Sequence, residues 1–93
     1  DGRDLRLWHQ SSNNYIAAYT GDLYIKNETD DGDVIFQNDN GSGGLSNYIV
    51  LDGGDVSIKM LTQKVIMSNL PTSNPNNAGQ LYNDSGTLKV SAG

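Results

Sequence analysis

A five-residue unit that recurs along the chain is the sequence feature that most constrains its fold. The unit consists of Gly, a polar residue, an aliphatic residue, any residue and then an apolar one. It occurs at Gly21–Ile25, Gly32–Phe36, Gly54–Ile58 and Gly86–Val90, with a looser copy at Gly79–Asn83. Gly supplies the backbone conformation of a tight turn, and residues two apart in a strand share a face. The irregular spacing predicts a degenerate array of short strands and not a strict solenoid.

Alternating apolar and polar residues predict an all-β fold of short strands. Turn signals such as Asn40-Gly41 and Asp52-Gly53-Gly54 separate the alternating runs. The predicted strands are Leu5–His9, Asn14–Tyr19, Asp22–Asn27, Asp33–Asn38, Asn47–Leu51, Asp55–Met60, Gln63–Met67, Gly79–Asn83 and Thr87–Ser91.

The chain divides into three predicted regions. Residues 1–69 are predicted to form a repetitive β segment. Residues 70–78 contain both prolines, Pro71 and Pro75, and predict an extended linker because the residue before Pro favours extended conformations. Residues 79–93 are predicted to form a C-terminal β-hairpin around Asp84-Ser85-Gly86, which we expect to act as a cap on the strands that precede it. Since the chain starts at Asp1 without Met, we expect a cut or processed N-terminus.

The composition predicts that the chain is stabilised by association with copies of itself. Only 35% of the 93 residues are hydrophobic, 11 are Gly and none is Cys. A small cysteine-free chain with few aliphatic residues commonly reaches stability through oligomerisation. We expect a homotrimer in which one strand face lines a shared interior. This face comprises Leu5, Leu7, Leu23, Ile25, Val34, Phe36, Val56 and Ile58.

The net charge disfavours a nucleic-acid partner, and the lengths of the apolar runs disfavour insertion into a membrane. The formal net charge is −5, and an acidic surface repels phosphate backbones, so we expect no nucleic-acid partner. No apolar run approaches the length of a membrane span, so we expect no membrane insertion.

No motif predicts catalysis, so we expect a protein that is not an enzyme and has no catalytic residues. A Ser–His–acid triad would need His9, the one His of the chain. Ser42 lies in Gly41–Gly44, which reads as a turn and not as a nucleophile elbow. Two carboxylates could hydrolyse a glycan. The clustered carboxylates are Asp30, Asp31, Asp33 and Asp39, and turn formation explains Asp at such positions equally well.

We expect no cofactor and no metal ligands. The residues before Gly32 and Gly41 do not follow the ligand spacing of an EF-hand. A calcium site at Asp30, Asp31 and Asp33 is an alternative to a solvated acidic turn, which we favour. The alternation places His9 on the same face as Leu5 and Leu7. Three copies of His9 in a trimer could share a metal, but we favour a packed or hydrogen-bonded His.

Trp8 and Tyr24 lie opposite the aliphatic face of their predicted strands, so we expect them to point outward. Exposed aromatic rings can stack on sugars. We favour the simpler interpretation that these rings cover neighbouring strands or subunits.

Several runs of the chain resemble repeats found in bacteriophage tail-fibre and virion structural proteins, especially those of marine phages. These runs are Asp4–His9, Asn14–Ile16, Thr20–Ile25, Gly32–Gln37, Tyr48–Gly53 and the ending from Leu70–Thr72 through Ala78–Val90. The resemblance covers nearly the whole chain. One departure is Trp8-His9-Gln10-Ser11, where the family's more usual form is Tyr-His-Asp-Gly.

The resemblance implies a trimeric, β-rich fibre on the surface of a virion, with a β-helix-like or β-prism-like shaft. The implied partners are further copies of the chain, other fibre or tail proteins of the virion, and a glycan of the host cell surface. The implied function is non-enzymatic, in fibre architecture and host attachment. Two alternatives stay open: a polysaccharide-degrading tailspike domain, and a virion decoration or scaffold protein without a receptor role.

Overall fold

The computed structural model describes residues 4–93, and within them the chain is all-β, as the alternation predicted. Short strands form small antiparallel sheets, and no helix occurs among residues 4–93. The strands are β1 (Leu5–Gln10), β2 (Asn13–Ala18), β3 (Asp33–Asp39), β4 (Leu45–Asp52), β5 (Ser57–Met60), β6 (Leu81–Asp84) and β7 (Thr87–Val90). The sheets have the orders β1-β2, β3-β4-β5 and β6-β7.

Strands β1 and β2 form a hairpin closed by a two-residue turn. Gln10 pairs with Asn13, which leaves Ser11 and Ser12 as the turn. Ser11 has a φ of 59°, in the left-handed region that two-residue hairpin turns require. Beyond the strand ends, the Tyr19 N–H donates to the Asp4 carbonyl oxygen at 2.7 Å. This bond lengthens the two-stranded ladder by one step.

Strands β3 and β4 form the longest ladder of the chain, from the pair Asp33–Asp52 to the pair Asp39–Leu45. The register shifts between Phe36 and Gln37, which leaves Tyr48 of β4 as an extra residue opposite this step. Such a bulge increases the local twist and redirects a side chain. The Tyr48 hydroxyl donates to the Asp39 carbonyl oxygen at 2.6 Å, which ties the bulge to the far end of β3.

Strands β6 and β7 form the hairpin that the Asp84-Ser85-Gly86 signal predicted. Ser85 and Gly86 have φ values of 53° and 94°, and two left-handed residues in succession are typical of a type I′ turn. The Asn83 side-chain oxygen accepts the Gly86 N–H at 2.7 Å, which holds the turn closed.

The segment 70–78, which was predicted to be an extended linker, is hydrogen-bonded to this hairpin. The Pro71 carbonyl oxygen accepts the Asn83 N–H at 2.8 Å. Ser91, only 3% exposed, donates its hydroxyl to the Asn74 side-chain oxygen at 2.7 Å. The same hydroxyl oxygen accepts the Asn77 N–H at 3.2 Å. Polar contacts therefore hold the hairpin to the residues that precede it.

Two predicted strands are wrong and a third is shorter than predicted. Asp22–Asn27 and Gln63–Met67 form no strand, because no other strand of the described chain pairs with them. The predicted strand Asp55–Met60 begins only at Ser57, because residues 53–56 form a turn in which Val56 has a φ of 52°. Alternation identifies residues that can pair, but it does not supply the partner.

The chain divides into two compact units, residues 1–59 and residues 60–93. Residues 1–3 of the predicted fibre segment lie outside the described residues. The described part of each unit contains no core of the kind that supports an independent domain. Among residues 4–93, the one buried apolar side chain is that of Val50, at 7% exposure. The strands therefore rest on main-chain pairing, with little apolar packing inside the chain.

Candidate association surface

Apolar side chains of the strands lie in solvent along much of the chain. The face predicted to line a trimer interior includes Leu7 at 77% exposure and Val56 at 89% exposure. Several other members of that face are also exposed, namely Leu5, Leu23, Ile25, Phe36 and Ile58. Side chains that are this exposed gain little hydrophobic stabilisation within the single chain.

A groove of about 660 Å³ lies beside strands β3, β4 and β5 in the first unit. Its apolar lining comes from one side chain of β3, one of β4, one of β5 and one of the turn before β5. These are Val34, Leu51, Ile58 and Val56. The groove therefore gathers apolar residues from all three strands of one sheet.

A close contact between two turns shapes one end of this groove. A Cβ atom at Gly53 would collide with the carbonyl oxygen of Gly32, so the two backbones approach as only glycine allows. The Gly53 N–H donates to Asp33 Oδ1 at 3.1 Å, which fixes the turn after β4 to the start of β3. The Asn27 side-chain amide donates to the Asp33 carbonyl oxygen at 2.9 Å.

The carboxylate in the groove lining is paired with a cation. The Lys59 ammonium lies 2.8 Å from Asp52 Oδ2. This hydrogen bond, assisted by the Asp55 N–H at 3.0 Å, lowers the pKa of Asp52 below its ordinary value. The same pair raises the pKa of Lys59. Both shifts keep the pair charged at neutral pH, so the groove presents a neutralised ion pair to any occupant.

Two further features of the groove depart from ordinary folded geometry. Val56 holds a left-handed φ of 52°, which is uncommon for a β-branched residue because its Cβ crowds the backbone. The Ser57 hydroxyl oxygen is buried and has no hydrogen-bond partner in the described chain. Strain of this kind and orphaned polar atoms cluster at functional surfaces more often than elsewhere.

The β1–β2 hairpin presents one apolar and one aromatic face. On the apolar face Leu7 lies opposite Ile16, and both are exposed. On the other face Trp8 stacks on its cross-strand partner Tyr15, with ring centroids 4.9 Å apart and an interplanar angle of 19°. The Arg6 guanidinium lies over the Trp8 ring at 4.7 Å from its centroid. Trp8 thus covers a neighbouring strand, as the simpler sequence interpretation expected, whereas Tyr24 stands 78% exposed.

His9 faces its cross-strand neighbour and not a cluster of ligands. His9 Nδ1 lies 2.9 Å from the Asn14 side-chain oxygen, its direct partner in the ladder, and His9 is exposed. Among residues 4–93, no group of three His, Cys, Asp or Glu side chains is arranged to hold a metal ion.

The carboxylates and the glycine-rich loop serve turn geometry. Asp39 accepts the N–H groups of Gly41 at 2.9 Å and of Gly43 at 3.1 Å. The Asn40 side-chain oxygen accepts the Ser42 N–H at 2.7 Å, so Ser42 belongs to a turn. Side chains of the loop itself therefore occupy its N–H donors.

Asp31 lies in a turn with a φ of 59°, a conformation that Asp tolerates. Asp33 holds the turn after β4, as described above. Asp31, Asp33 and Asp39 thus have separate local roles. Asp30, which adjoins Asp31 in the sequence, is exposed.

The groove was not predicted from the sequence, although three of its four apolar residues were assigned to the apolar face. The alternation of Val56 and Ile58 predicts one continuous strand, which would have placed both on the same face. In the structure Val56 instead belongs to a left-handed turn before β5, and both side chains line the groove. The glycine pair Gly53-Gly54 before Val56 is the signal that could have revealed the turn.

The fold and this surface define a class of small, antiparallel, all-β chains whose apolar strand faces remain open in the single copy. Searches of family models, of curated proteins and of solved structures return no match to the chain. Within residues 4–93, none of the structure is a helix that could cross a membrane.

Proposed function

We propose that this chain is a non-enzymatic structural segment of a bacteriophage fibre that works as a homotrimer on the virion surface and contributes to host attachment. The observation that carries the proposal is the apolar strand faces left in solvent while one apolar side chain, Val50, is buried among the described residues. Such a chain gains most of its hydrophobic stabilisation from association.

The accessible surface supports the same proposal. The chain exposes 7872 Å², whereas a folded monomer of 10.0 kDa exposes about 5,200 Å². Obligate interfaces commonly bury more than about 2,000 Å² in total, and they resemble a domain core cut in half. The chain therefore exposes about 2,600 Å² more surface than such a monomer, an area comparable to that buried in an obligate interface.

The phage assignment rests on the resemblance of the repeats, and the trimer gives it a mechanism. A fibre that presents three copies of a weak surface contact raises the effective concentration of the next contact once one is made. A shaft in β-helix-like or β-prism-like form would keep the three copies in register. Glycan of the host cell surface is the receptor class that we propose.

Native mass spectrometry of the 93-residue chain at micromolar concentration tests the proposal. We expect a species three times the mass of the 10.0 kDa chain. A stable, folded monomer at that concentration would contradict it. Peptide mapping of purified particles that encode the chain then tests the virion location, and absence of the chain from the particles would overturn that part.

A further inference from the structure

The segment Asp22–Asn27 has the sequence of a strand and no strand partner. It lies between the β1–β2 and β3–β4 hairpins of the first unit, and all of its residues are exposed. Its alternating residues Leu23 and Ile25 lie in solvent, as does Tyr24 between them. The backbone N–H and carbonyl groups of these three residues make no hydrogen bond within the described chain.

Two of the other close copies of the unit form strands over most of their length, whereas in Gly54–Ile58 only Ser57 and Ile58 belong to a strand. Gly32–Phe36 enters β3 and Gly86–Val90 enters β7, each paired along its length with an antiparallel neighbour. Gly21–Ile25 follows the same pattern of residues. The residue types are therefore suited to pairing, and what the segment lacks is a neighbour.

We propose that Asp22–Asn27 becomes a strand by main-chain pairing with an exposed strand edge of a second copy of this chain. This inference rests on the proposed homotrimer and names the segment that completes it. Strand addition to a free edge supplies hydrogen bonds through the backbone and specificity through alternate side chains. The two-stranded sheet β1-β2 and the outer strands β3 and β5 provide such edges.

Surface area favours a second copy as the occupant. A single chain leaves about 2,600 Å² more surface in solvent than a monomer of its mass. A short added strand would cover only part of that excess area. If each copy adds its own segment to a neighbouring copy, the segments and the exposed strand faces of all copies lie in the same interface. Closed symmetric assemblies of one chain achieve this with one repeated contact.

Charge is compatible with this occupant. Each copy carries a net charge of −5, so association needs an interface without unpaired acids. Within the segment, the formal charges of Asp22 and Lys26 cancel. The Lys26 Nζ atom also lies 2.8 Å from Oε2 of Glu28, just beyond the segment. The segment therefore brings no excess negative charge to a neighbouring copy.

Residue-resolved amide hydrogen exchange of the full chain, above and below its association concentration, tests the inference. We expect amides within Leu23–Lys26 to exchange at least about 100-fold more slowly in the trimer than in the dilute monomer. Amides of the β3–β4 ladder serve as the internal reference, because they are paired within one chain.

Two proline variants provide a matched pair. Successive N–H groups of a strand point to opposite sides, so only one of Tyr24 and Ile25 donates to a given neighbour. Of Tyr24→Pro and Ile25→Pro, we expect one to raise the trimer dissociation constant at least about tenfold and the other to have a smaller effect. Both sites are exposed and unpaired in the single chain, so neither variant removes a hydrogen bond of its fold.

The outcomes separate this inference from the proposed function. A trimer whose Leu23–Lys26 amides exchange freely, and whose stability neither proline changes, overturns the inference and leaves the trimeric fibre standing. Equal protection in the dilute monomer also overturns it, because the partner would then be the chain itself. A chain that stays monomeric at every concentration overturns both.

Discussion

At the scale of single residues, a close backbone contact restricts position 53 to glycine. Its backbone touches that of Gly32 so closely that no side chain fits between them. The next residue, Gly54, has ordinary space, with the nearest atom 3.6 Å from a Cβ placed there. Of these two adjacent glycines, Gly53 alone is required to be glycine by a close backbone contact.

Replacing each of these glycines by alanine should separate the two cases. We expect Gly53→Ala to lower the free energy of unfolding by about 1–3 kcal/mol, because backbone atoms must move to admit the methyl group. Gly54→Ala should be neutral or stabilising by up to about 1 kcal/mol, because alanine restricts the unfolded chain. Urea denaturation at a fixed chain concentration measures both. Equal effects of the two variants would contradict the assigned contact.

At the scale of elements, the strands predicted from alternation are present wherever another segment of the chain is available to pair with them. Leu5–His9 and Asn14–Tyr19 are such a case, since a short turn brings the second run back on the first. Gln63–Met67 has a comparable pattern but no neighbour, and it stays unpaired. Strand pairing is a property of two segments, whereas the apolar pattern belongs to one.

The contacts around Ser91 show a second limit of sequence patterns. Asn74, Asn77 and Ser91 meet through polar atoms, and polar contacts have no periodic signature. A run rich in Pro and Asn reads as an extended segment whether or not it packs. The candidate surface shows the same contrast, since its exposed leucines were predicted and the turn at Val56 was not.

Removing the Ser91 hydroxyl should weaken the second unit. We expect Ser91→Ala to lower the free energy of unfolding by about 1–3 kcal/mol, because the Asn77 N–H loses its acceptor in a buried site. Ser73→Ala, at an exposed position of the same segment, is the matched control and should change little. Thermal unfolding of both variants is the measurement, and a Ser91→Ala protein as stable as the control would contradict the role of this hydroxyl.

At the scale of the whole molecule, the paired strands of residues 4–93 bury one apolar side chain, that of Val50. The terminal hairpin shows this clearly, because Leu88 and Val90 share one face of β7 and both are exposed. Isolated two-stranded hairpins are at best marginally stable in water. Under the proposed function, these two side chains are covered by a neighbouring copy.

The double variant Leu88→Asp with Val90→Asp tests the hairpin as part of the assembly. We expect it to weaken the trimer, because charged side chains would have to be buried in an apolar contact. Thr87→Asp changes the charge on the opposite face of the same strand and should leave assembly nearly unchanged. Sedimentation of the variants across a range of concentrations gives the dissociation constants. Trimers of unchanged stability in the double variant would show that the hairpin lies outside the interface.

The hairpins described above have a consequence for the order in which the molecule forms. Each antiparallel ladder joins runs that are adjacent along the chain, so closing it requires only a short loop. Contacts between near neighbours in sequence form quickly, since little chain entropy is lost before they form. The ladders are therefore expected to form at a rate that is independent of concentration, and in the proposed trimer encounters between copies would limit the rate of the final step.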